Sequence, residues 1–273
     1  MLQSLKNAIN GPNSDLIQLN DGIQTKNERE GECLAVDIVA IHGLPGNTHA
    51  TWTDQDTQAL WLRDFLPHDI PGARILTYSY PSESLFSKSD ATLQTYALKL
   101  LDHLHDYRSL IKARPIIFVA HSLGGIVCKR ALILTKEDSR GPLGGLDMEQ
   151  YLGDILDLVV NDTGAQRFTG WTRTKHLKKL KANLADLGQV SSIFQLMSSG
   201  KLKIVTIYET GGNAGGGRLL VDKDSATMNV EGEVLIPRNL SHHEICRFKN
   251  PSDPDYIVVS RAIRKLCVEA CQQ

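Results

Sequence analysis

The stretch Ala120-His121-Ser122-Leu123-Gly124-Gly125 decides the fold. An apolar run at 116–120 precedes Ser122, and an amphipathic pattern follows it as far as about Thr135. This order predicts a buried strand, a sharp turn at the serine and then a helix. Small neighbours suit so crowded a turn, and the helix start directs backbone N–H groups at negative charge developing near the hydroxyl. We therefore predict that Ser122 is a nucleophile rather than the N-cap serine of an ordinary helix.

Strand-like and helix-like segments alternate along the rest of the chain. Strands are predicted at 34–41, 73–80, 116–120, 155–160, 203–208, 219–221 and 234–236, and helices at 59–66, 91–113, 122–135, 171–200 and 256–270. This alternation predicts an α/β fold with a mostly parallel central sheet and helices on both faces. Residues 1–32 are polar and are interpreted as a loop-like N-terminal extension, followed by a single domain at 33–273.

Composition argues against several classes of partner. The net charge is −1 and the isoelectric point is near 6.8, so no broad attraction to nucleic acid is expected. The five cysteines are scattered without metal-ligand spacing, which predicts no metal site and a reducing, cytoplasmic setting. No apolar run approaches the roughly 20 residues that a membrane-spanning helix needs, so no transmembrane segment is predicted.

A family resemblance extends over most of residues 34–265. The segments that carry it are 36–44, 52–53, 61–67, 73–78, 236–237, 245–248 and 260–263. They resemble one lipase-like branch of the α/β-hydrolases, which often forms the N-terminal domain of fungal NACHT and ankyrin immune-receptor-like proteins. The resemblance implies the α/β-hydrolase fold, hydrolysis of an ester, and a larger parent protein or protein partner of the signalling type.

Acyl transfer requires two hydrogen-bond donors for the carbonyl oxygen as it becomes an oxyanion. One is predicted to be the backbone N–H of Leu123, the residue after the nucleophile. The other is predicted to be the backbone N–H of Leu44, in the loop after an early strand, where Gly43 allows close approach of the backbone. His42 precedes the serine in the chain and is expected to hydrogen-bond within this loop.

The catalytic base is expected among the histidines after the nucleophile, because the triad order in this fold is serine, acid, histidine. His176 falls on a predicted solvated helix face. The family reads Asp-His shortly after an Ile-Pro, and here Ser241-His242 occupies that place. The resemblance therefore favours His242, although the aspartate is lost, and leaves His243 as the alternative.

Three carboxylates are candidates for the acid. The acid of the triad is expected at the carboxyl end of a strand. Glu209 directly follows the strand predicted at 203–208. Asp224 is a rival because its segment also resembles the family, and Asp162, after a weaker strand, is a third candidate. We select Glu209 and leave the other two open.

The predicted function is that of a cofactor-free serine esterase or lipase-type hydrolase that works through an acyl-enzyme. Its substrate would be a small-molecule or lipid ester, and a thioesterase would use the same residues. One departure favours an alternative. The family strand ends in Gly-Thr-Pro-His, whereas this chain has Val-Val-Asn-Asp at 159–162. The alternative is a weak or inactive signalling or scaffold module with the same fold.

Overall fold

The computed structural model describes residues 15–20, 34–44, 46–82, 91–109, 114–137, 155–162, 184–198, 202–210 and 223–272. Its described strands form one seven-stranded sheet in the order β1-β3-β2-β4-β5-β6-β7. Six of these strands run parallel, and β1 pairs antiparallel with β3. The strands are β1 Leu16–Gln18, β2 Asp37–Ile41, β3 Arg74–Tyr78, β4 Ile116–Ser122, β5 Ile155–Asp162, β6 Lys203–Glu209 and β7 Val234–Arg238.

Two hydrophobic layers cover the sheet, because successive side chains of a strand point to opposite faces. In β2, Val39 and Ile41 pack into one layer, whereas Ile38 and Ala40 pack into the other. The described helices are α1 Trp61–Asp64, α2 Leu66–Asp69, α3 Ala91–Ser109, α4 Leu123–Glu137, α5 Leu184–Ser198, α6 Lys223–Ala226 and α7 Pro254–Cys271. The first layer is completed by α3, α4 and α5, and the second by α1, α2 and α7. The predicted α/β architecture, with helices on both faces of a mostly parallel sheet, is confirmed.

The N-terminal residues depart from the sequence-based expectation. Residues 1–32 were interpreted as a loop-like extension, but Leu16–Gln18 is an edge strand of the main sheet. Leu16 is only 2% exposed and belongs to the first hydrophobic layer. Three residues are too short for an alternating pattern to emerge from a polar background, so sequence periodicity could not reveal this strand.

A buried ion cluster lies at the amino edge of the sheet, away from Ser122. Nε and Nη2 of Arg74 donate to the carboxylate of Asp37 at 2.5 and 2.6 Å, and Nη1 of Arg108 donates to it at 3.1 Å. A fully buried carboxylate is costly unless it is paired in this way. The cluster joins β2, β3 and α3 at the amino edge of the sheet. In parallel α/β sheets a site usually forms at the opposite edge, where the carboxyl ends of the strands and the loops after them meet.

Candidate active site

Ser122 ends β4, and α4 begins at the next residue, Leu123. The backbone of Ser122 has φ of 56°, in the left-handed region that non-glycine residues rarely adopt. Such a conformation costs a serine about 1–2 kcal/mol and persists only where the surrounding structure imposes it. The strained strand-to-helix turn predicted from the sequence is present, and it lifts the serine above the carboxyl edge of the sheet.

Glycines allow the chain to close around this turn. A Cβ atom on Gly43 would lie 2.5 Å from Cβ and 3.1 Å from Oγ of Ser122. A Cβ atom on Gly124 would lie 2.3 Å from the carbonyl oxygen of Ile41. The loop that leads to Leu44 therefore lies directly against the serine, and α4 begins directly against the end of β2. Gly43, the residue before Leu44, thus packs against the serine, and Leu123 follows the serine in the chain.

Tyr80 and His42 hold the loop that contains Gly43. Nδ1 of His42 donates to the carbonyl of Gly43 at 3.0 Å, and its Nε2 accepts the backbone N–H of Tyr80 at 3.4 Å. The Tyr80 hydroxyl donates to the carbonyl of His42 at 2.7 Å, and the two rings stack with centroids 4.5 Å apart. Burial lowers the pKa of His42, which keeps the ring neutral. His42 therefore orders the loop, as its position in the sequence predicted.

His242 and Glu209 meet at the carboxyl edge of the last two strands. Glu209 ends β6, and His242 follows β7, the parallel neighbour of β6. Nδ1 of His242 lies 3.8 Å from Oε1 of Glu209, within ion-pair distance but longer than a hydrogen bond. Both side chains are buried, at 3% and 4% exposed.

The other ring nitrogen of His242 is Nε2. Nε2 is buried and has no hydrogen-bond partner among the described residues. Burial lowers the pKa of His242 well below its ordinary value, and the neighbouring rings of His121 and His243 lower it further. His242 is therefore neutral at neutral pH and can accept a proton.

Hydrogen bonds at Cys246 help to anchor the loop that carries His242 to the body of the domain. The indole N–H of Trp61 donates to the carbonyl of Cys246 at 2.9 Å, and the Cys246 thiol donates to the carbonyl of Thr51 at 3.2 Å. Burial raises the pKa of this thiol to about 12, so it stays protonated and serves as a structural donor.

The sequence model of the alpha/beta hydrolase family matches residues 38–193, which is more than half of the chain. The chain belongs to this family. Two solved structures share the fold of this alpha/beta hydrolase at low sequence identity. The Bacillus licheniformis lipase BlEst2 superposes with a TM-score of 0.57 at 14% identity, over 92% of this chain and 97% of that one. MGS-MChE2, an alpha/beta hydrolase enzyme from a lagoon-sediment metagenome, superposes with a TM-score of 0.51 at 17% identity, over 88% and 92%.

Two sequence relatives of this alpha/beta hydrolase are longer proteins. Protein SERAC1 of Mus musculus is 22% identical over 268 residues, which cover 88% of this chain and 40% of that protein. Protein SERAC1 of Danio rerio is 26% identical over 132 residues, which cover 40% of this chain and 20% of that protein. The chain therefore spans less than half the length of these relatives.

The remaining sequence-based candidates are placed only in part. Asp162 ends β5, and its backbone pairs in register with Ser122. Asp224 lies on α6, and the side chains of both aspartates are outside the described part of the hydrolase. His243 is half-buried, with its ring centroid 5.7 Å from that of His242. His176 and the strand predicted at 219–221 lie outside the described residues.

Sequence reasoning assigned no role to several residues around the site, namely Tyr80, Trp52 and His121. His121 stood out in the sequence because it directly precedes Ser122. Its contact with His242 could not be predicted, because the two residues lie 121 positions apart in the chain. Within the described ranges, no group of three or more histidine, cysteine or acidic side chains could hold a metal ion. Within those same ranges, no helix is long and apolar enough to cross a membrane.

Proposed function

We propose that this protein is a serine hydrolase that cleaves carboxylic esters through an acyl-enzyme. The observation that carries the proposal is the left-handed backbone of Ser122 at the strand-to-helix junction, packed against Gly43. A strained serine at this point of the fold is typical of a nucleophile, because the turn places the hydroxyl at the carboxyl edge of the sheet. We assign His242 as the base, Glu209 as the acid, and the backbone N–H groups of Leu44 and Leu123 as the oxyanion donors.

The reaction would proceed in two halves. In the first, Nε2 of His242 takes the proton of the Ser122 hydroxyl as its oxygen attacks the ester carbonyl, and the leaving alcohol then receives that proton. In the second, His242 activates water, which attacks the acyl-enzyme and releases the acid. The two backbone N–H groups stabilise the oxyanion in both halves. The lowered pKa keeps the His242 imidazole neutral, which is the form that can accept a proton.

Glu209 would orient and stabilise the imidazolium that forms on His242 without becoming protonated itself. Its separation of 3.8 Å from Nδ1 would shorten to hydrogen-bond distance once the ring is charged. Asp162 and Asp224 remain the alternatives for this role. Because a carboxylate is replaced by a neutral isostere, Glu209→Gln would leave the shape intact and lower kcat strongly.

The substrate class is proposed as a small-molecule or lipid ester, and a thioester would suit the same residues. The structural similarity to a lipase supports an acyl substrate. The greater length of the SERAC1 relatives is compatible with a hydrolase domain inside a larger parent protein. A parent protein of the signalling type and a cytoplasmic location belong to the same proposal, on the sequence features alone.

A fluorophosphonate probe and a short p-nitrophenyl ester test the proposal together. We expect the probe to label Ser122, and Ser122→Ala to lose roughly 10⁴- to 10⁶-fold in ester turnover while the fold survives. His242→Ala should lose a similar factor because the two residues act as one unit. Loss of only a few-fold in Ser122→Ala would contradict the assignment. A folded wild-type protein that neither takes the probe nor cleaves an ester would instead be a scaffold module.

A further inference from the structure

His121 stands immediately before the proposed nucleophile and is 4% exposed. Its Nε2 lies 2.9 Å from the main-chain carbonyl oxygen of His242. A carbonyl oxygen can only accept a hydrogen bond, so Nε2 of His121 must carry the proton. The contact joins two residues that are 121 positions apart in the chain. It therefore connects the nucleophile turn directly to the loop that carries the proposed base.

Ring packing fixes the orientation of His121. Its ring centroid lies 4.8 Å from that of His242, with an angle of 39° between the planes. The indole of Trp52 approaches the same imidazole edge-on, with centroids 6.3 Å apart. A ring held on both sides and by one hydrogen bond has little freedom to turn, so it gives the His242 loop a rigid contact.

The charge state of His121 suits this place. The charged or titratable groups that face it are His242, His243 and Arg247 on the loop after β7, and His42 on the loop after β2. Burial, more than these charges, lowers the pKa of His121 to about 4, against the effect of its hydrogen bond to His242. The ring is therefore neutral at neutral pH. It adds no positive charge beside His242, which must itself become positive during the reaction.

We propose that His121 is a positioning residue that fixes the His242 loop relative to Ser122 through its hydrogen bond to the His242 carbonyl. The inference rests on the proposed function for its catalytic consequence. One peptide link joins His121 to the nucleophile, and one hydrogen bond joins it to the backbone of the base. This connection between hydroxyl and imidazole is shorter than the one that runs through the contacts at Cys246.

Two substitutions separate the hydrogen bond from the packing. His121→Phe keeps a ring against His242 but has no donor, whereas His121→Gln keeps an N–H donor at a similar reach. Because small misplacements of reacting groups are costly, we expect His121→Phe to lower kcat about 10- to 100-fold with KM little changed. His121→Gln should recover most of this loss. The matched control is His68→Phe, on the exposed surface of α2, which should leave kcat and KM unchanged.

The pH profile gives a readout that a purely structural role would not move. Loss of the tether lets the His242 loop loosen and water reach its ring, so the acidic limb of kcat/KM should shift toward higher pH in His121→Phe. In His121→Gln the limb should stay near its wild-type position. Unchanged kcat and an unchanged pH profile in His121→Phe would overturn the inference.

A measurement without turnover keeps the inference separate from the proposed function. Side-chain ¹H–¹⁵N spectra of the wild-type protein, assigned with His121→Phe, should show His121 neutral with its proton on Nε2 from about pH 6 to pH 8. A proton on Nδ1 alone, or a charged ring, would overturn the inference. If no ester is cleaved and no probe is bound, the proposed function fails, and these spectra still decide whether His121 holds the loop.

Discussion

At the scale of single residues, Ser122 must supply both a hydroxyl and a left-handed backbone, and the second demand opposes stability. We predict that the free energy of unfolding of Ser122→Gly is about 1 kcal/mol larger than that of Ser122→Ala. Glycine adopts a positive φ without the steric penalty of a Cβ atom, so it is the more stable variant. Both variants lack the proposed nucleophile and should be inactive. Urea denaturation of the two proteins side by side measures the difference. Equal unfolding free energies would mean that the turn is not strained.

Tyr80 provides a second residue-scale prediction, since its hydroxyl donates to the carbonyl of His42. Tyr80→Phe leaves that carbonyl unsatisfied and should lower the unfolding free energy by about 1–3 kcal/mol. It should also lower kcat, because the loop carries the proposed Leu44 donor. The matched control is Tyr78→Phe, whose hydroxyl donates instead to the carbonyl of Tyr96 at 2.9 Å. This control should lose comparable stability and keep kcat, so an equal loss of kcat in both would contradict the prediction.

The sequence shows Ser122 but not the role of His121, although the two residues are neighbours. A strained turn between a strand and a helix leaves a local pattern of small residues, which can be read directly. The partner of His121 lies in a loop 121 residues away, and the contact is made to a main-chain carbonyl. Any residue type offers that carbonyl, so no pattern of side chains marks the contact.

At the scale of elements, the close approach of α4 to β2 depends on Gly124. Its Cβ atom in Gly124→Ala would meet the carbonyl oxygens of Ile41 and His42 at 2.3 and 2.5 Å. Because both obstacles are backbone atoms, the helix must shift, which we expect to cost about 1–3 kcal/mol of unfolding free energy. The shift should also slow fluorophosphonate labelling of Ser122, which adjoins the start of α4.

The control for this prediction is Gly232→Ala, where the new Cβ meets nothing within 4 Å but φ is 83°. Backbone strain alone should lower the free energy of unfolding of Gly232→Ala by about 1–2 kcal/mol, as measured by urea denaturation. Its labelling rate should equal that of the wild type. If Gly124→Ala also labels at the wild-type rate, the position of α4 does not control the nucleophile.

Element prediction from the sequence depended on length and periodicity. The central strands β2, β4 and β6 were located because each is a continuous apolar run flanked by turn residues. The edge strand β1 has only three residues, and the prediction of a loop there was wrong. The placement of Glu209 beside His242 follows from the pairing of β6 with β7, which no single segment reveals.

At the scale of the whole molecule, buried histidines make stability depend on pH. Burial lowers the pKa of His42, His121 and His242 in the folded state. Below the unfolded value of about 6.5, the unfolded chain binds protons that the folded protein does not, so stability falls as pH falls. Above that pH the three histidines are neutral in both states, so they do not make stability depend on pH. The fall should continue toward pH 4, since His121 protonates in the folded state only at about that value.

Urea denaturation at about pH 7.5 and pH 5 measures this dependence, with the difference set by the three lowered pKa values. For His121, a shift from 6.5 to about 4 corresponds to an upper bound of about 3 kcal/mol over the full range. His121→Phe lacks this group and should lose less stability than the wild type between the two pH values. An equal loss in the two proteins would show that His121 does not contribute to it.

The contact between His121 and His242 also has a consequence in time. A ribosome that adds about 5–20 residues per second needs roughly 6–24 s to extend the nascent chain across the 121 positions between them. During that interval the serine is already synthesised, but neither its proposed base nor the partner of His121 exists. A nascent chain tethered to the ribosome at about residue 200 should therefore be unreactive toward acyl groups around it. Reactivity would then arise only as the segment that contains His242 docks.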